Sequence, residues 1–526
     1  MASLPTGINM SCVNLLAVLD QLDHPEHQLR VIQVGGTNGK GSVCACLASI
    51  LRQADYKVGT FNSPHLMDPR DSIAVNGKSI PIEAWNRIQQ DGLAAERTAG
   101  VTLTSFERLT LTAILWFTES AVALAILEVG MGGTRDATTV CRESVLVSVL
   151  TAVGLDHVGL IGNNLEEIAI EKSGIFVPGR AVIIAQQTYP EVVEALRHQA
   201  QSIRPLCADL VLPAATLSPP LAGKDAVITD HPSPPTRPPR YAIRWDARVS
   251  LLDSAPTATP QSTAASEPPS RRPSPVRRTH TTTQLEFDSP LLGSFQMANF
   301  AAAVHAVDVL RHLYPEFPVS DAAIRAGMRN VSWPGRLETK PFPGTATRPV
   351  DILIDGAHNV DAAKALSLFV DEEWRPLNAS ILRRSAPSSP VSDLAAPVFP
   401  VTWIYACSEG KDPIAILKIL LRPHDRLLLV PFTPPQGMPW VKCIPPTTLR
   451  ETITAQPRPS TIALDTPVAL ENVIACPTLA HAIGLIQETH WYESSALVLC
   501  GSLYLVSDYY REFVPALPAD AQFMPL

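Results

Sequence analysis

Val31-Ile32-Gln33-Val34-Gly35-Gly36-Thr37-Asn38-Gly39-Lys40-Gly41-Ser42 runs from a short apolar strand through a glycine-rich turn into an amphipathic stretch. The apolar spacing beyond the turn predicts a helix from about Gly41 to Ala54. Strand, flexible turn and helix N-terminus in that order make a phosphate cradle, because backbone N–H groups converge on the oxygens and the helix dipole favours their charge. In such a cradle Lys40 reaches the terminal phosphates and Ser42 can bind Mg2+. The usual Gly-x-x-x-x-Gly-Lys-Ser/Thr spacing is not met: Val34 replaces the first glycine, and Gly41 separates Lys40 from Ser42. Alone, the stretch is also compatible with a plain tight turn.

Outward from this stretch, apolar strands keep alternating with longer amphipathic segments. Val58 to Phe61 reads as a strand, Phe106 to Phe117 as a helix, and Ala121 to Val129 and Val145 to Leu150 as buried strands. That rhythm predicts a parallel sheet covered by helices on both faces. After Leu212, Pro, Ser, Thr and Arg dominate through about Thr283, a composition with too little apolar surface to offset its ordering entropy. A disordered insertion is expected there, at about 213–283, and a shorter one at about 379–397. The α/β pattern returns at Val350 to Ile354, Val401 to Ala406, Arg426 to Val430 and Ser495 to Leu499. Two domains are therefore expected, 1–298 and 299–526, each carrying one insertion.

Bulk properties exclude several classes. At 526 residues the chain is too long for a single core. A net charge of −8 gives no diffuse basic field for nucleic acid or an anionic membrane. The nine cysteines form no CxxC pair and no zinc-type spacing, so they read as reduced and buried in a cytoplasmic chain. Residues 1–19 contain no Lys or Arg, unlike a transit or secretory signal. The apolar run Leu109 to Val129 is interrupted by Thr, Ser and Glu119, which suits a buried helix and strand better than a membrane span.

Further candidate residues stand at strand ends, where ligands bind in open α/β sheets. Ala121 to Val129 delivers Glu128 beside the phosphate loop, a position that suits a magnesium ligand, although a surface glutamate is the plainer reading. The strand Val145 to Leu150 is followed by Gly154-Leu155-Asp156-His157, and a lone histidine is usually structural. Asp355 and His358 follow Ile352-Leu353-Ile354, where Asp355 could simply cap the loop.

The ordered motifs Gly36-Thr37-Asn38-Gly39-Lys40-Gly41-Ser42, Ser63-Pro64-His65-Leu66, Glu128-Val129-Gly130-Met131-Gly132-Gly133, Gly154-Leu155-Asp156-His157, Glu171-Lys172-Ser173-Gly174-Ile175, Trp333-Pro334-Gly335-Arg336-Leu337-Glu338, Asp355-Gly356-Ala357-His358-Asn359 and Gly501-Ser502-Leu503-Tyr504-Leu505 together carry a resemblance. The chain closely resembles the dihydrofolate synthase and folylpolyglutamate synthase family, relatives of the Mur ligases, over nearly everything outside the two Pro/Ser-rich tracts. The resemblance implies an α/β, Mur-ligase-like fold: an N-terminal P-loop ATPase domain with a parallel sheet, plus a smaller C-terminal α/β domain. It implies ligation of L-glutamate to 7,8-dihydropteroate through an acyl phosphate, with release of ADP and phosphate. The partners are then small molecules (dihydropteroate, L-glutamate and ATP), with no nucleic acid and no membrane, on a monomer.

The family pattern also implies roles. Gly36 to Ser42, Asn299, Arg336 and Asp355 would contact ATP; Ser42 and Glu128 would hold one Mg2+, and Ser63, Glu128 and His157 a second, with a monovalent cation as an option. His358 and Ser502 would lie near glutamate, and Thr104, Ser105, Phe106, Glu107, Arg135, Asp136 and Ala137 near the pterin. Phe106 could stack on that ring or belong to the core. Lys40, Lys172, Arg336 and His358 would be catalytic. Lys172 is typically carbamylated in the family; the bland reading is a solvent-facing lysine or one paired with Glu166, Glu167 or Glu171. Two departures are visible. Arg135 is displaced by one position from the family arginine, and Met67-Asp68-Pro69 replaces a more polar run. Eukaryotic folylpolyglutamate synthases tend to carry Lys at Asn38, Thr-Gln at Leu337-Glu338 and Thr at Asn359, so these positions resemble the dihydrofolate synthase side. The alternatives are folylpolyglutamate synthesis and, from another class, a P-loop switch or an inactive binding module.

Overall fold

The computed structural model describes residues 12–211, 214–217, 240–244, 248–250, 284–345, 350–385, 398–455 and 470–514. The strands of its first half are β1 (Val31–Gly35), β2 (Val58–Phe61), β3 (Ile73–Val75), β4 (Lys78–Ser79), β5 (Leu124–Glu128), β6 (Val145–Leu150), β7 (Ala181–Ile184), β8 (Cys207–Val211), β9 (Ala214–Leu217), β10 (Arg240–Arg244), β11 (Arg248–Ser250) and β12 (Gln284–Asp288). One sheet has the order β11-β8-β7-β6-β1-β5-β2-β3-β4, parallel from β8 to β2 with antiparallel strands at both edges. β1, β5, β6 and β7 are buried at every residue. Their mostly apolar runs, in which Gln33, Glu128 and Ser148 are the polar residues, follow from being covered on both faces.

Helices α1 (Val13–Asp20), α2 (Lys40–Gln53), α3 (Ile82–Ala99), α4 (Ser105–Glu119), α5 (Leu165–Lys172), α6 (Pro190–Ile203), α7 (Gln296–Leu313) and α8 (Asp321–Asn330) accompany these strands. The core on the α2 side joins Ile32, Val34, Leu47 and Ile50 to Phe300, Val304, Ile324 and Met328. α2 and α8 approach so closely that a Cβ on Gly327 would lie 2.4 Å from Ile50 Cα. The first body therefore extends through Val331, which corrects the break expected at 298/299. Of the 18 residues of α7, 13 are buried, and its apolar ones pack into the core of the first sheet.

The second body carries β13 (Glu338–Pro341), β14 (Asp351–Ile354), β15 (Val401–Tyr405), β16 (Arg426–Leu429), β17 (Val473–Ala475) and β18 (Ala496–Cys500) in the order β13-β14-β18-β15-β16-β17. All but β13 are parallel. Its helices are α9 (Val360–Phe369), α10 (Arg375–Ser385), α11 (Pro413–Leu420), α12 (Pro446–Ala455), α13 (Leu479–Glu488) and α14 (Leu503–Phe513). The α/β class, with one large mostly parallel sheet in each body, matches the sequence expectation; a small third sheet, β12-β10-β9, is added to the first body.

Both composition-based insertions need correction. β9 and β10 pair with each other, β10 also pairs with β12, and β11 pairs with β8, all inside or beside the span 213–283. Backbone ladders satisfy N–H and C=O groups whatever the side-chain composition, so a Pro/Ser-rich tract can still hold short strands. α10 likewise covers the start of the span 379–397, anchored by the buried Trp374 and Arg375. The rest of both spans lies outside the described residues. All nine cysteines are free. Among the described residues no helix is long and apolar enough to cross a membrane.

Candidate active site

β1 lies between β5 and β6, where the strand order reverses, and the crevice at such a point opens at the carboxyl ends. The phosphate loop leaves β1 there. Gly36 and Gly39 adopt φ of 131° and 94°, conformations that favour glycine. The walls demand it as well: a Cβ on Gly36 would sit 2.0 Å from Thr151 Oγ1, one on Gly39 2.2 Å from Asn299 Oδ1, and one on Gly41 2.4 Å from the Trp333 ring. Thr37 N–H donates to Ala152 O at 2.8 Å, and its hydroxyl to Gly154 O at 3.1 Å, which moors the loop to the segment after β6. Lys40 Nζ folds over the loop and donates to Thr37 O at 3.1 Å and Gly36 O at 3.3 Å.

The neighbouring strand ends converge on this loop. Glu128, at the end of β5, is buried and accepts from Asn62 Nδ2 at 3.0 Å, just past β2. Burial pushes its pKa up, opposed by Lys40, Asn62 and Arg336. Ser42 is buried in the first turn of α2, and Ser63 follows Asn62. His157 lies beyond β6, and burial with Lys411, Lys172 and Lys40 pushes its pKa down to about 4 against the pull of Asp156, so the ring is neutral at pH 7. Asp156 ion-pairs with Lys411 of the second body. Burial works against its ionised form, but His157, Lys411 and His358 hold it well below the usual carboxylate range.

Lys172, at the end of α5, is 3 % exposed and donates to Gly36 O at 2.8 Å. Burial first, and Lys40 next, push its pKa down to about 7. The solvent-facing reading is excluded, and its hydrogen bond goes to the phosphate loop rather than to Glu166, Glu167 or Glu171.

From the second sheet, the ends of β14, β18 and β15 supply the opposite wall. Asp355 accepts Leu337 N–H at 2.9 Å and Ala357 N–H at 2.8 Å, so the loop-capping role is real. Arg336 donates from Nη1 to Gly335 O at 2.9 Å, and a Cβ on Gly356 would stand 2.6 Å from that nitrogen. His358 Nδ1 meets Gly356 O at 2.8 Å, and burial, with Lys411, lowers its pKa. Ser502 is buried and caps α14 by accepting Tyr504 N–H at 3.2 Å. Asn299, on α7, donates to Gln296 Oε1 at 2.8 Å while its Oδ1 abuts Gly39.

The residues expected around a pterin divide. Thr104 and Glu107 form a capping box on α4, with Glu107 buried, and Ser105 is the exposed first residue of that helix. Asp136 is buried and accepts from Gly130 N–H, Met131 N–H and Thr138 N–H, each at 3.0 Å, while Ala137 belongs to the core. Asp136 and Ala137 thus support the wall from behind, while Glu107 gives Oε2 to the cap and keeps Oε1 buried without a hydrogen-bond partner. Phe106 is half-buried, 5.8 Å from Phe61 and close against Gly130. Arg135 is exposed beside Glu171 at 3.5 Å.

Four residues at the site escaped the sequence reading: Asn62, which orients Glu128; Trp333, which covers Gly41; Asn359, which bonds Asn38; and Lys411, which pairs with Asp156. Asn62 adjoins Ser63, and Trp333 and Asn359 lie inside quoted motifs, so their neighbourhood was visible. Lys411 stands 255 residues from its partner with no local signal.

Residues 34–204 match the family model of the Mur ligase middle domain, and residues 390–512 that of the dihydrofolate synthetase C-terminal domain. A Schizosaccharomyces pombe protein named "Probable dihydrofolate synthetase" is 30 % identical over 96 % of this chain and 98 % of its own length. A dihydrofolate synthetase of Saccharomyces cerevisiae is 27 % identical with the same coverage. Among solved structures, a Mycobacterium tuberculosis folylpolyglutamate synthase complexed with ADP and AMPPCP superposes with a TM-score of 0.67, at 20 % identity, over 97 % of this chain and 96 % of that one.

Proposed function

The chain belongs to the dihydrofolate synthetase family, and from that premise we propose that it joins L-glutamate to 7,8-dihydropteroate at the expense of ATP, giving 7,8-dihydrofolate, ADP and phosphate. The observation that carries this reading is the meeting of two sheets' strand ends over one phosphate loop, with Asn38 bonded to Asn359 and Asp156 to Lys411. A nucleotide switch has no use for a second α/β body facing its phosphates; a two-step ligase does.

In this reading the Gly36 to Ser42 loop cradles the phosphates of ATP, with Asn299, Arg336 and Asp355 on the nucleotide. The dihydropteroate carboxylate attacks the γ-phosphorus and ADP leaves. The glutamate amine then attacks the acyl carbon, and the tetrahedral intermediate expels phosphate. Lys40 and Arg336 offset charge that builds on the transferring group. His358, whose pKa burial pushes down, takes the proton that the glutamate ammonium must lose before attack, with Ser502 beside it. Phe106 and Arg135 face the pterin side.

The donor set fits Mg2+. Glu128 is a buried carboxylate needing a counter-charge, and Ser42 and Ser63 add hard oxygens beside it. Ser42 and Glu128 would hold one ion, and Ser63, Glu128 and His157 the second; when bound, they neutralise the γ-phosphate and the reacting oxygens. Lys172 takes part as a carbamate in our reading. With its pKa lowered to about 7, the amine is half neutral at pH 7, and the neutral form's nitrogen can add to the carbon of CO2 and lose a proton, leaving a carboxylate beside Lys40. Both walls of the cleft come from one chain, so a monomer carries a complete site for its small-molecule substrates.

The acyl phosphate makes a specific demand: one carboxylate oxygen must leave in the phosphate. Dihydropteroate labelled with 18O in its carboxylate should yield singly labelled phosphate in each turnover. Unlabelled phosphate alongside ligated product would exclude the intermediate.

A further inference from the structure

At the amino ends of the strands, opposite the cleft and just ahead of β1, His24, Glu26 and His27 cluster around the short turn Pro25–Gln28. Glu26 is 1 % exposed, and its Oε1 lies 3.0 Å from His24 Nδ1 and 3.6 Å from His27 Nε2. Its other oxygen, Oε2, is buried without a hydrogen-bond partner. Among the described residues its ion pairs are with these two histidines alone, with no Lys or Arg. A buried carboxylate in that state calls for a positive charge between it and the imidazoles.

The neighbours match a metal's second requirement, oriented ligands. Asp20 Oδ1 stands 3.5 Å from His24 Nε2, the nitrogen facing away from Glu26, where a carboxylate fixes the tautomer of a ligating imidazole. Glu143 Oε2 stands 3.6 Å from His27 Nε2. The histidine rings stack at 5.0 Å, and one candidate atom from each of His24, Glu26 and His27 lies within 4.8 Å of the others. Ligands about 2.0–2.1 Å from a tetrahedral zinc stand roughly 3.3 Å apart, so small side-chain rotations close the set. Ser144 Oγ donates to Glu26 O at 2.6 Å and Thr118 Oγ1 to Pro25 O at 3.2 Å, holding the turn in place.

We propose that His24, Glu26 and His27 bind one transition-metal dication of the Zn2+ class, with Glu143 as fourth ligand and Asp20 orienting His24. Two imidazoles and a carboxylate select Zn2+ or Co2+ over Mg2+, which sets this site apart from the oxygen-rich cleft. The ion clamps the end of α1, the turn before β1 and the Ala137–Ser144 segment, whose first turn Asp136 ties to the loop after β5.

Full-length protein stripped with EDTA, then held with saturating Mg2+ and ADP, is titrated with Co2+ and followed by its visible d–d absorption. One equivalent should bind with a tetrahedral nitrogen/oxygen spectrum, and Zn2+ should displace it. His27→Gln, at a half-exposed position, should keep its melting temperature in EDTA yet weaken Co2+ binding at least ~100-fold. Glu26→Gln should weaken it likewise, and Zn2+ should raise the melting temperature of the wild type but of neither variant. No Co2+ uptake by the wild type would overturn the proposal, leaving a proton on His24 as the balancing charge. Uptake unchanged in His27→Gln, or a thiolate-type spectrum, would overturn it too.

Discussion

Asn38 in the phosphate loop and Asn359 at the head of α9 exchange side-chain amide hydrogen bonds, Asn359 Nδ2 to Asn38 Oδ1 at 3.1 Å and Asn38 Nδ2 to Asn359 Oδ1 at 3.4 Å. Asn359 Oδ1 also caps α9 by accepting Ala362 N–H at 2.9 Å. One residue thus fixes both the helix start and the approach of the second body to the phosphates.

Removing Asn38 separates these duties, because the α9 cap survives. Asn38→Ala should lower kcat/KM about tenfold, as expected for one or two partly buried hydrogen bonds at about 0.5–1.5 kcal/mol each. Its melting temperature should barely move. Asn359→Ala should cost a further ~1 kcal/mol of stability through the lost cap. Steady-state kinetics and thermal melts of both variants check this, and equal stability loss in the two would count against it.

Lys40 and Glu128 act on charge that grows in the transition state, so Lys40→Ala and Glu128→Gln should each lower turnover at least ~100-fold with the fold intact. Near-normal turnover in either variant, measured at saturating Mg-ATP, would remove that residue from the mechanism.

Lys172 gives a signed pH prediction. Its pKa is about 7 in the folded chain against 10.5 for an ordinary lysine, so between those limits the unfolded chain holds the extra proton and this group's contribution to stability rises with pH. Lys172→Met removes the penalty: it should melt higher than the wild type, by a margin largest near pH 7 and shrinking towards pH 10. Lys172→Ala should lose at least ~100-fold in turnover, with partial rescue by a short carboxylic acid that enters the vacated space. Bicarbonate should raise the activity of CO2-stripped wild type.

The second body rests on a buried ion pair. Asp425 accepts from Arg375 Nη1 and Nη2, both at 2.8 Å, and also from Val401 N–H, Trp403 Nε1 and Arg422 N–H. Asp425→Ala would strand a buried guanidinium and should destabilise this body by about 3–5 kcal/mol. Urea unfolding of the variant measures it; a loss below ~1 kcal/mol would show that Asp371, the other partner of Arg375, suffices.

What the sequence made legible was local. Glycine spacing after an apolar strand fixes the phosphate loop, and Glu128, His157 and Asp355 were visible because each follows a buried run. The helix-capping role of Glu107 and the loop-tying role of Asp136 were not legible, because a carboxylate that caps a helix or ties a loop has the same local pattern as one that meets substrate. The boundary at 298/299 failed because α7 is apolar enough for either body, and only packing decides which sheet buries it. The Asp156–Lys411 and Asn38–Asn359 contacts join distant segments, and nothing in local spacing encodes a contact between two separately folded bodies.

Product identity tests the central claim most directly. Purified protein is incubated with Mg-ATP, L-glutamate and either 7,8-dihydropteroate or tetrahydrofolate, and the products are identified by mass. The account predicts a glutamyl adduct of dihydropteroate formed with stoichiometric ADP and phosphate. Adduct from tetrahydrofolate alone, or ATP hydrolysis with no ligated product, would contradict it.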